Sequence, residues 1–440
     1  MESRIKKISL VNLFGFLNHE VSLNEDGVTF IHGPNGCGKT TFLKVIAAFY
    51  NWEPNVFFEV NFDKLIIQYS NGIEVTTDKH VENKIYDDET IEIPTLSFTL
   101  VDNDETKDTF EIKRNLKELK NHPIPYLHQV NSSTWIDFSE QEKLSYHEVL
   151  KKYGHQLPFD GGKKRPEWLH NLQSNGKLHF VQTQRLLRVS DSDITLRSRH
   201  EEVSHVIQLY SKELKQIISE KLTESAAVSQ SKDRSFPERV LSLHLDEDRS
   251  EDVIRNDYKK TEDKIEKLMG AGVIEQEKNI SLPDKNFEAT EKKVLSLYLQ
   301  DINEKLSIFD DLLLRIETFL NIISPKLRNK KFMVNRQNGF LIETTHGTKS
   351  SLQPSELSSG EQHEIVLFYE LIFKTRDNSF FLIDEPEISL HVDWQRQFLS
   401  DISKIAKLGK HSFIIATHSP QIIGSRRDLA VALDGGILSE

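Results

Sequence analysis

A single cysteine, Cys37, stands in a chain of 440 residues. One thiol excludes an internal disulfide framework and any Cys-x-x-Cys zinc site, and points to a reducing, cytoplasmic setting. There is no run of about 18 apolar residues, so no membrane span is expected. The N-terminus, MESRIKKISLVNL, passes directly into a strand-like alternation and lacks the zones of a signal peptide. Positive charge is also in deficit: 56 Lys and Arg against 68 Asp and Glu leave a net charge of −12. That balance does not suit a general nucleic-acid coat. Two local basic clusters, Lys163-Lys164-Arg165 and KLRNKK at 326–331, read as solvated surface, with a nucleic-acid track possible only if the fold joins them. With 37% apolar and 28% charged residues, the composition is that of a globular chain long enough for two or three units.

What is present is concentrated in a few short stretches. In GVTFIHGPNGCGKTTFLKVIAAFY (27–50), Val28 to Ile31 reads as a short apolar strand. Gly33-Pro34-Asn35-Gly36-Cys37-Gly38-Lys39-Thr40 matches G-x-x-x-x-G-K-[ST]. From Thr41 to Tyr50, apolar residues recur at helical spacing. Strand, glycine loop and helix in that order make a phosphate cradle. Gly36 and Gly38 let the backbone approach an anion, and the loop and helix N–H groups wrap it. Lys39 supplies charge to the β- and γ-phosphates, and the Thr40 hydroxyl suits Mg²⁺. The expected ligands are therefore ATP and Mg²⁺, held by Gly33 through Thr41.

NSFFLIDEPEISLHVDWQRQF (378–398) contains an apolar run, Phe380 to Ile383, that ends in Asp384-Glu385. Carboxylates at the C-terminal end of a buried parallel strand face the ligand crevice. Asp384 is placed to hold Mg²⁺, and Glu385 to polarise the attacking water. HSFIIATHSPQII (411–423) repeats the pattern: Phe413 to Ala416 reads as a buried strand ending in Thr417-His418-Ser419. His418 at such a strand end suits a contact with the γ-phosphate.

Between these lies PSELSSGEQHEIV (354–366), whose LSSGEQ resembles the LSGGQ or LSGGE signature of ABC-type ATPases, with Ser359 in place of the first glycine. The motif order matches an ABC-type head of the SMC-like branch, which implies an α/β, P-loop NTPase fold. In that family the signature reaches a nucleotide held by a second head. The resemblance thus implies head-to-head dimers, with Ser358, Ser359, Gly360 and Glu361 acting in trans. It also implies a glutamine at a strand end that bridges Mg²⁺ and water; Gln184 is the choice and Gln182 the competitor.

KLIIQYS, Asn71-Gly72 and IEVTT (64–77) read as a hairpin with a type I′ turn. TLSFTLV and TFEIKR (95–114) read as a second hairpin, and 331–345 as another. Residues 197–325 read as charged helices, with loops or short helices at 229–252. The expected division is head and β-rich layer over 1–190, helical insertion over 191–325, and the remaining head over 326–440. No nuclease constellation is visible, and none follows the His418 strand. These features resemble the ATPase subunits of anti-phage operons, most of all the AriA type of PARIS systems, and also the Septu type. That resemblance implies a cytoplasmic oligomeric sensor and scaffold, which holds a separate Toprim nuclease effector and releases it on meeting a phage trigger protein. A RecF- or SMC-like DNA-binding ATPase of repair is the alternative.

Overall fold

The computed structural model describes residues 4–86, 89–103, 105–113, 124–131, 134–153, 156, 164–174, 177–182, 199–242, 249–275, 282–346, 350–388, 390 and 392–433. Two compact units are formed. The first takes Met1–Thr183, Arg376–Ile388 and Gln395–Glu440, and the second Gln184–Thr375 and Ser389–Trp394. Residues 326–375, expected with the C-terminal part of the head, group instead with the helices.

Among the described residues, the first unit contains three sheets. β1 (Ile5–Leu13), β2 (Leu17–Ser22), β4 (Lys64–Tyr69), β5 (Ile73–Tyr86), β6 (Glu89–Asp102) and β7 (Glu105–Lys113) form an antiparallel sheet in the order β2-β1-β4-β5-β6-β7. The alternation along β4 buries Leu65, Ile67 and Tyr69 on one face. The β4–β5 hairpin is present, but its turn is not type I′. Only Gly72 is left-handed (φ +86°), and its N–H donates to Tyr69 O at 3.2 Å. Asn71 keeps a negative φ and accepts from the Ile73 N–H, giving a three-residue loop with glycine in the left-handed position.

β11 (Leu178–Gln182), β14 (Phe380–Asp384), β15 (Ser412–Ala416), β3 (Val28–His32) and β16 (Ala430–Ala432) form a parallel sheet in that spatial order. Helix α1 (Lys39–Asn51) packs between it and the antiparallel sheet. Phe42, Leu43, Val45, Ile46 and Phe49 share one core with Leu65, Phe98 and Leu382. α2 (Pro54–Glu59), α4 (Glu167–Ser174), α10 (Val392–Gly409) and α11 (Pro420–Ile423) complete these layers. A third, small sheet of β8 (Leu127–Gln129), β9 (Thr134–Asp137) and β10 (Glu142–Ser145) leads into α3 (Tyr146–Tyr153). It keeps its own core of Ile124, Leu127, Trp135, Leu144, Val149 and Tyr153. The buried Asp137 carboxylate there accepts from Lys152, Ser139 and Tyr153, and these donors hold its pKa far below the aspartate range.

The second unit holds α5 (Arg199–Leu241), α6 (Glu251–Gly270), α7 (Ala289–Ser307), α8 (Asp310–Ile323) and α9 (Ser359–Phe373), and the hairpin of β12 (Lys330–Asn335) and β13 (Gly339–Thr344) packs against α5, α8 and α9. Phe319, Phe332, Phe340, Tyr369 and Phe373 interlock at its centre. The polar stretch from Ser229, expected as loops or short helices, is helical to Leu241. Contacts with α7 explain the difference. Arg239 grips Asp301 bidentately at 2.6 and 2.7 Å, and Lys305 meets Asp233 at 3.0 Å. The basic run at 326–331 is not simple solvated surface either. Lys326 is 4% exposed and pairs with the buried Glu364 at 3.3 Å, and Lys330 pairs with Glu361. Among the described residues, no helix is long and apolar enough to cross a membrane.

Phe49 is fully buried near the far end of α1 from its N-terminal loop. Phe49→Ala is expected to lower the stability of the first unit by about 3–5 kcal/mol. Urea unfolding followed by fluorescence would measure it.

Candidate functional site

Three neighbouring strands of the parallel sheet deliver the polar residues to one edge. β3 ends at His32 and runs into the glycine loop, β14 ends at Asp384, and β15 ends at Ala416 before Thr417-His418. Because β14, β15 and β3 are adjacent and parallel, their C-terminal ends lie side by side. Four buried residues precede Asp384, so the first polar group emerges only where the strand leaves the core.

Gly36 and Gly38 both adopt φ +86°. A Cβ on Gly38 would also lie 2.6 Å from Leu13 Cδ2, so glycine is needed there on two grounds. The buried His19 on β2 reaches the Cys37 carbonyl through Nε2 at 2.7 Å and braces the loop from beneath. Lys39 opens α1, and its ammonium donates to Gly33 O (3.0 Å) and Pro34 O (3.1 Å), with Cys37 Sγ at 3.7 Å. Cys37 itself is buried. A cavity of about 440 Å³ is lined by Phe14, Asn35, Gly36, Gly38, Lys39, Thr40, Thr41, Glu385 and His418.

Thr40 Oγ1 donates to Asp384 Oδ1 at 3.2 Å. A hydroxyl beside a carboxylate, both hard oxygen donors at the edge of a phosphate cradle, fits Mg²⁺. Burial pushes the Asp384 carboxyl above the usual aspartate range, and the Thr40 hydrogen bond opposes this. The neighbouring Glu385 raises it further, while Lys44 and Lys39 lower it. Glu385 sits in the left-handed region (φ +49°), a conformation costing about 1–2 kcal/mol for a residue with a Cβ. Its N–H donates to Ala416 O at 2.9 Å, which ties it to β15. Its Oε1 lies 3.6 Å from His418 Nε2. The other residues with metal-ligand spacing among those described, His80, Glu82 and Glu111, already have Lys113 on both glutamates.

Within the second unit, Ser358 caps α9 in a reciprocal box with Glu361. The Ser358 N–H and Oγ–H donate to Glu361 Oε2 at 2.8 and 3.0 Å. Ser358 and Ser359 are exposed. Gly360 faces Trp394, whose ring a Cβ would approach to 3.1 Å. Glu361, expected to touch nucleotide, is buried, and its carboxylate also accepts from Lys330 at 2.7 and 2.8 Å. Its role in the structure is to cap the helix. Gln184 lies outside the described residues. Gln182 ends β11, opposite Asp384 in parallel register.

The family model for the AAA ATPase domain matches residues 4–423. The chain belongs to the AAA ATPase domain family. Its fold is that of an α/β P-loop NTPase, with the glycine loop at the C-terminal end of a parallel sheet. A 122-residue stretch is 34% identical to UvrABC system protein A of Oceanobacillus iheyensis. That stretch is 27% of this chain and 12% of the relative, so the chain spans only a small part of that protein's length. Among solved structures, the Smc head domain from Pyrococcus furiosus, bound to the C-terminal domain of ScpA, is 12% identical. The alignment covers 99% of this chain and 95% of that one, with a TM-score of 0.36. The SMC head domain from Thermotoga maritima is 11% identical, covering 97% and 92%, with a TM-score of 0.30. Neither superposition adds to the fold assignment, which rests on the family match and the strand order.

Phe14, His19 and Glu387 are functional candidates that sequence reasoning missed. Phe14 lines the cavity with φ +57°, and His19 is an ordinary strand histidine until the fold buries it under Cys37. Glu387 accepts from Thr417 Oγ1 at 2.9 Å and from the His418 N–H at 2.6 Å. The visible signal for it was proximity to Glu385 in DEPE.

The Asp384 pKa has a consequence of definite sign. The folded state holds the proton more tightly than the unfolded state. The ionised carboxylate therefore costs stability above the raised pKa, and the cost is relieved as pH falls through it. Asp384→Asn is expected to raise the melting temperature of the nucleotide-free protein at neutral pH and to weaken Mg²⁺-dependent nucleotide binding. In the parent, protons compete with the metal, so that binding should weaken on acidification from a higher pH than an ordinary aspartate would give. Thermal melts and a pH series of fluorescent-nucleotide titrations measure both effects.

Proposed function

We propose that the protein binds Mg²⁺-ATP in the loop from Gly33 to Thr41 and hydrolyses it to ADP and phosphate. The observation that carries this reading is the convergence of Lys39, Thr40, Glu385 and His418 on one cavity, with Asp384 bonded to Thr40. Lys39 would turn from its loop carbonyls to the β- and γ-phosphates, and Thr40 with Asp384 would hold Mg²⁺, which neutralises phosphate charge when bound. Glu385 would take a proton from water as its oxygen attacks the γ-phosphorus. The bond from that phosphorus to the β–γ bridging oxygen breaks, and ADP leaves with the bond's electrons. His418 would hydrogen-bond a γ-phosphate oxygen. Gln182 or Gln184 would orient the water. The exposed Ser358 and Ser359 at the N-terminus of α9 favour completion of the site by a second copy in a head-to-head dimer, because a helix N-terminus attracts phosphate.

We further propose a cytoplasmic, oligomeric sensor and scaffold in bacterial anti-phage defence, holding a separate Toprim nuclease effector until a phage trigger protein arrives. Support comes from the net charge of −12 and from the internal pairing of Lys326 and Lys330, which removes positive charge from a potential nucleic-acid track. A DNA-binding repair ATPase of RecF or SMC type is the second reading, favoured by the short identity with UvrABC system protein A.

Lys39→Ala is expected to weaken nucleotide binding. Glu385→Gln should keep binding and slow hydrolysis by about 10²-fold or more. Unchanged turnover in Glu385→Gln would remove Glu385 as the base. Ser358→Arg should bind nucleotide yet lose turnover, and mixing it with Lys39→Ala should restore part of the activity if sites are shared between copies. Titration with duplex DNA separates the two roles. Tight binding with a steep salt dependence would favour the repair reading over the scaffold.

A further inference from the structure

We propose that Glu387 is a positioning residue that sets the place of His418 over the reaction centre; the inference rests on the ATPase reading above. The His418 ring lines the cavity and faces Glu385 across 3.6 Å, yet it is carried by a loop beyond the end of β15. Such a loop wanders unless its backbone is held. Glu387, two residues past Glu385, holds it with both carboxylate oxygens: Oε2 accepts from Thr417 Oγ1 (2.9 Å) and Oε1 from the His418 N–H (2.6 Å). The bond is made to the main chain of His418, which leaves the ring to the cavity.

The clamp extends on both sides. Thr417 Oγ1 accepts from the Ser419 N–H at 2.9 Å, and Ser419 Oγ donates to Gln395 Oε1 at 2.8 Å. Gln395 Nε2 returns to the Glu387 carbonyl at 3.3 Å, closing the ring of contacts. At the strand end, the Thr417 N–H donates to Ile31 O at 3.1 Å, so the loop is pinned to the strand that feeds the glycine loop. Two donors converge on Glu387, and only a carboxylate offers two acceptor oxygens with no hydrogen of its own. A glutamine would turn an NH₂ group toward one of those donors. The base and the histidine thus sit at two ends of one short rigid path, from Glu385 through Glu387 to His418.

The test uses the full-length protein with Mg²⁺-ATP, comparing the parent with Glu387→Ala, Glu387→Gln, His418→Ala and the Glu387→Ala/His418→Ala double variant. Glu387→Ala should lower kcat by about 10- to 100-fold, the usual scale for a misplaced group. Nucleotide affinity, measured directly with a fluorescent analogue, should weaken no more than it does in His418→Ala. Glu387→Gln, which keeps one acceptor, should fall between Glu387→Ala and the parent. In the His418→Ala background the Glu387→Ala change should cost little more, because both act through one side chain. Hydrogen exchange over 412–424 should quicken in Glu387→Ala, a readout independent of turnover. Full additivity of the two changes, or an exchange rate and kcat unaltered by Glu387→Ala, would overturn the proposal. If Glu387→Ala does not fold, the same comparisons are made with Glu387→Gln. Absence of hydrolysis in the parent would instead defeat the ATPase reading itself, whereas a defect in His418→Ala without one at Glu387 defeats only the positioning role.

Discussion

Helix α1 turns almost no face to water. Nine of its thirteen residues are buried, between the antiparallel sheet on one side and the parallel sheet on the other. A helix packed on one side can roll or slide. One packed on both sides cannot do so without opening voids, at about 0.8 kcal/mol for each methylene lost from contact. The N-terminus of α1 is therefore held against the ends of β3, β14 and β15. The amide groups of the glycine loop, the Lys39 ammonium and the Thr40 hydroxyl inherit that fixed position.

The polar groups at the site are held at a cost to the fold. Asp384 is a carboxylate kept partly out of water, with its pKa raised by burial. Glu385 carries a Cβ in a left-handed backbone conformation, and β15 keeps it there through Ala416 O. Strained and desolvated groups that gather at one strand edge mark a place where chemistry rather than stability shapes the structure. The surrounding sheet, with its fully buried Phe381, Leu382, Ile414 and Ile415, supplies the stability that offsets them.

The second unit solves a different problem. The turn at Ser358 begins α9, and the capping box of Ser358 and Glu361 sets where that helix starts. Lys330 reaches Glu361, and Lys326 is buried against Glu364, so two cations of the basic run are spent inside the unit. A charge count along the chain reads such lysines as surface. Their pairing partners lie more than thirty residues away and become visible only after folding.

The glycine loop, the Asp384-Glu385 strand end and the His418 strand end could be read directly from the chain. Each is a local pattern: a short apolar run must be buried, and the first polar residues after it must emerge at an edge. Helix α1 and the hairpins at Asn71-Gly72 and 331–345 were legible for the same reason. The turn type at Gly72, the unbroken helix through Ser229 and the placement of 326–375 with the helical unit were not. The last two depend on partners distant in sequence, such as Asp301 for Arg239 and Tyr210 for Glu370, whereas the turn is set by Gly72 alone taking the left-handed conformation. The sequence by itself thus determined the glycine loop and the two polar strand ends, because each is written in a contiguous segment. Only the tertiary structure decided that His19 braces the loop and that Glu387 grips the backbone of His418, because a hydrogen bond forms between atoms that the fold brings within 3 Å and spacing along the chain does not encode that distance.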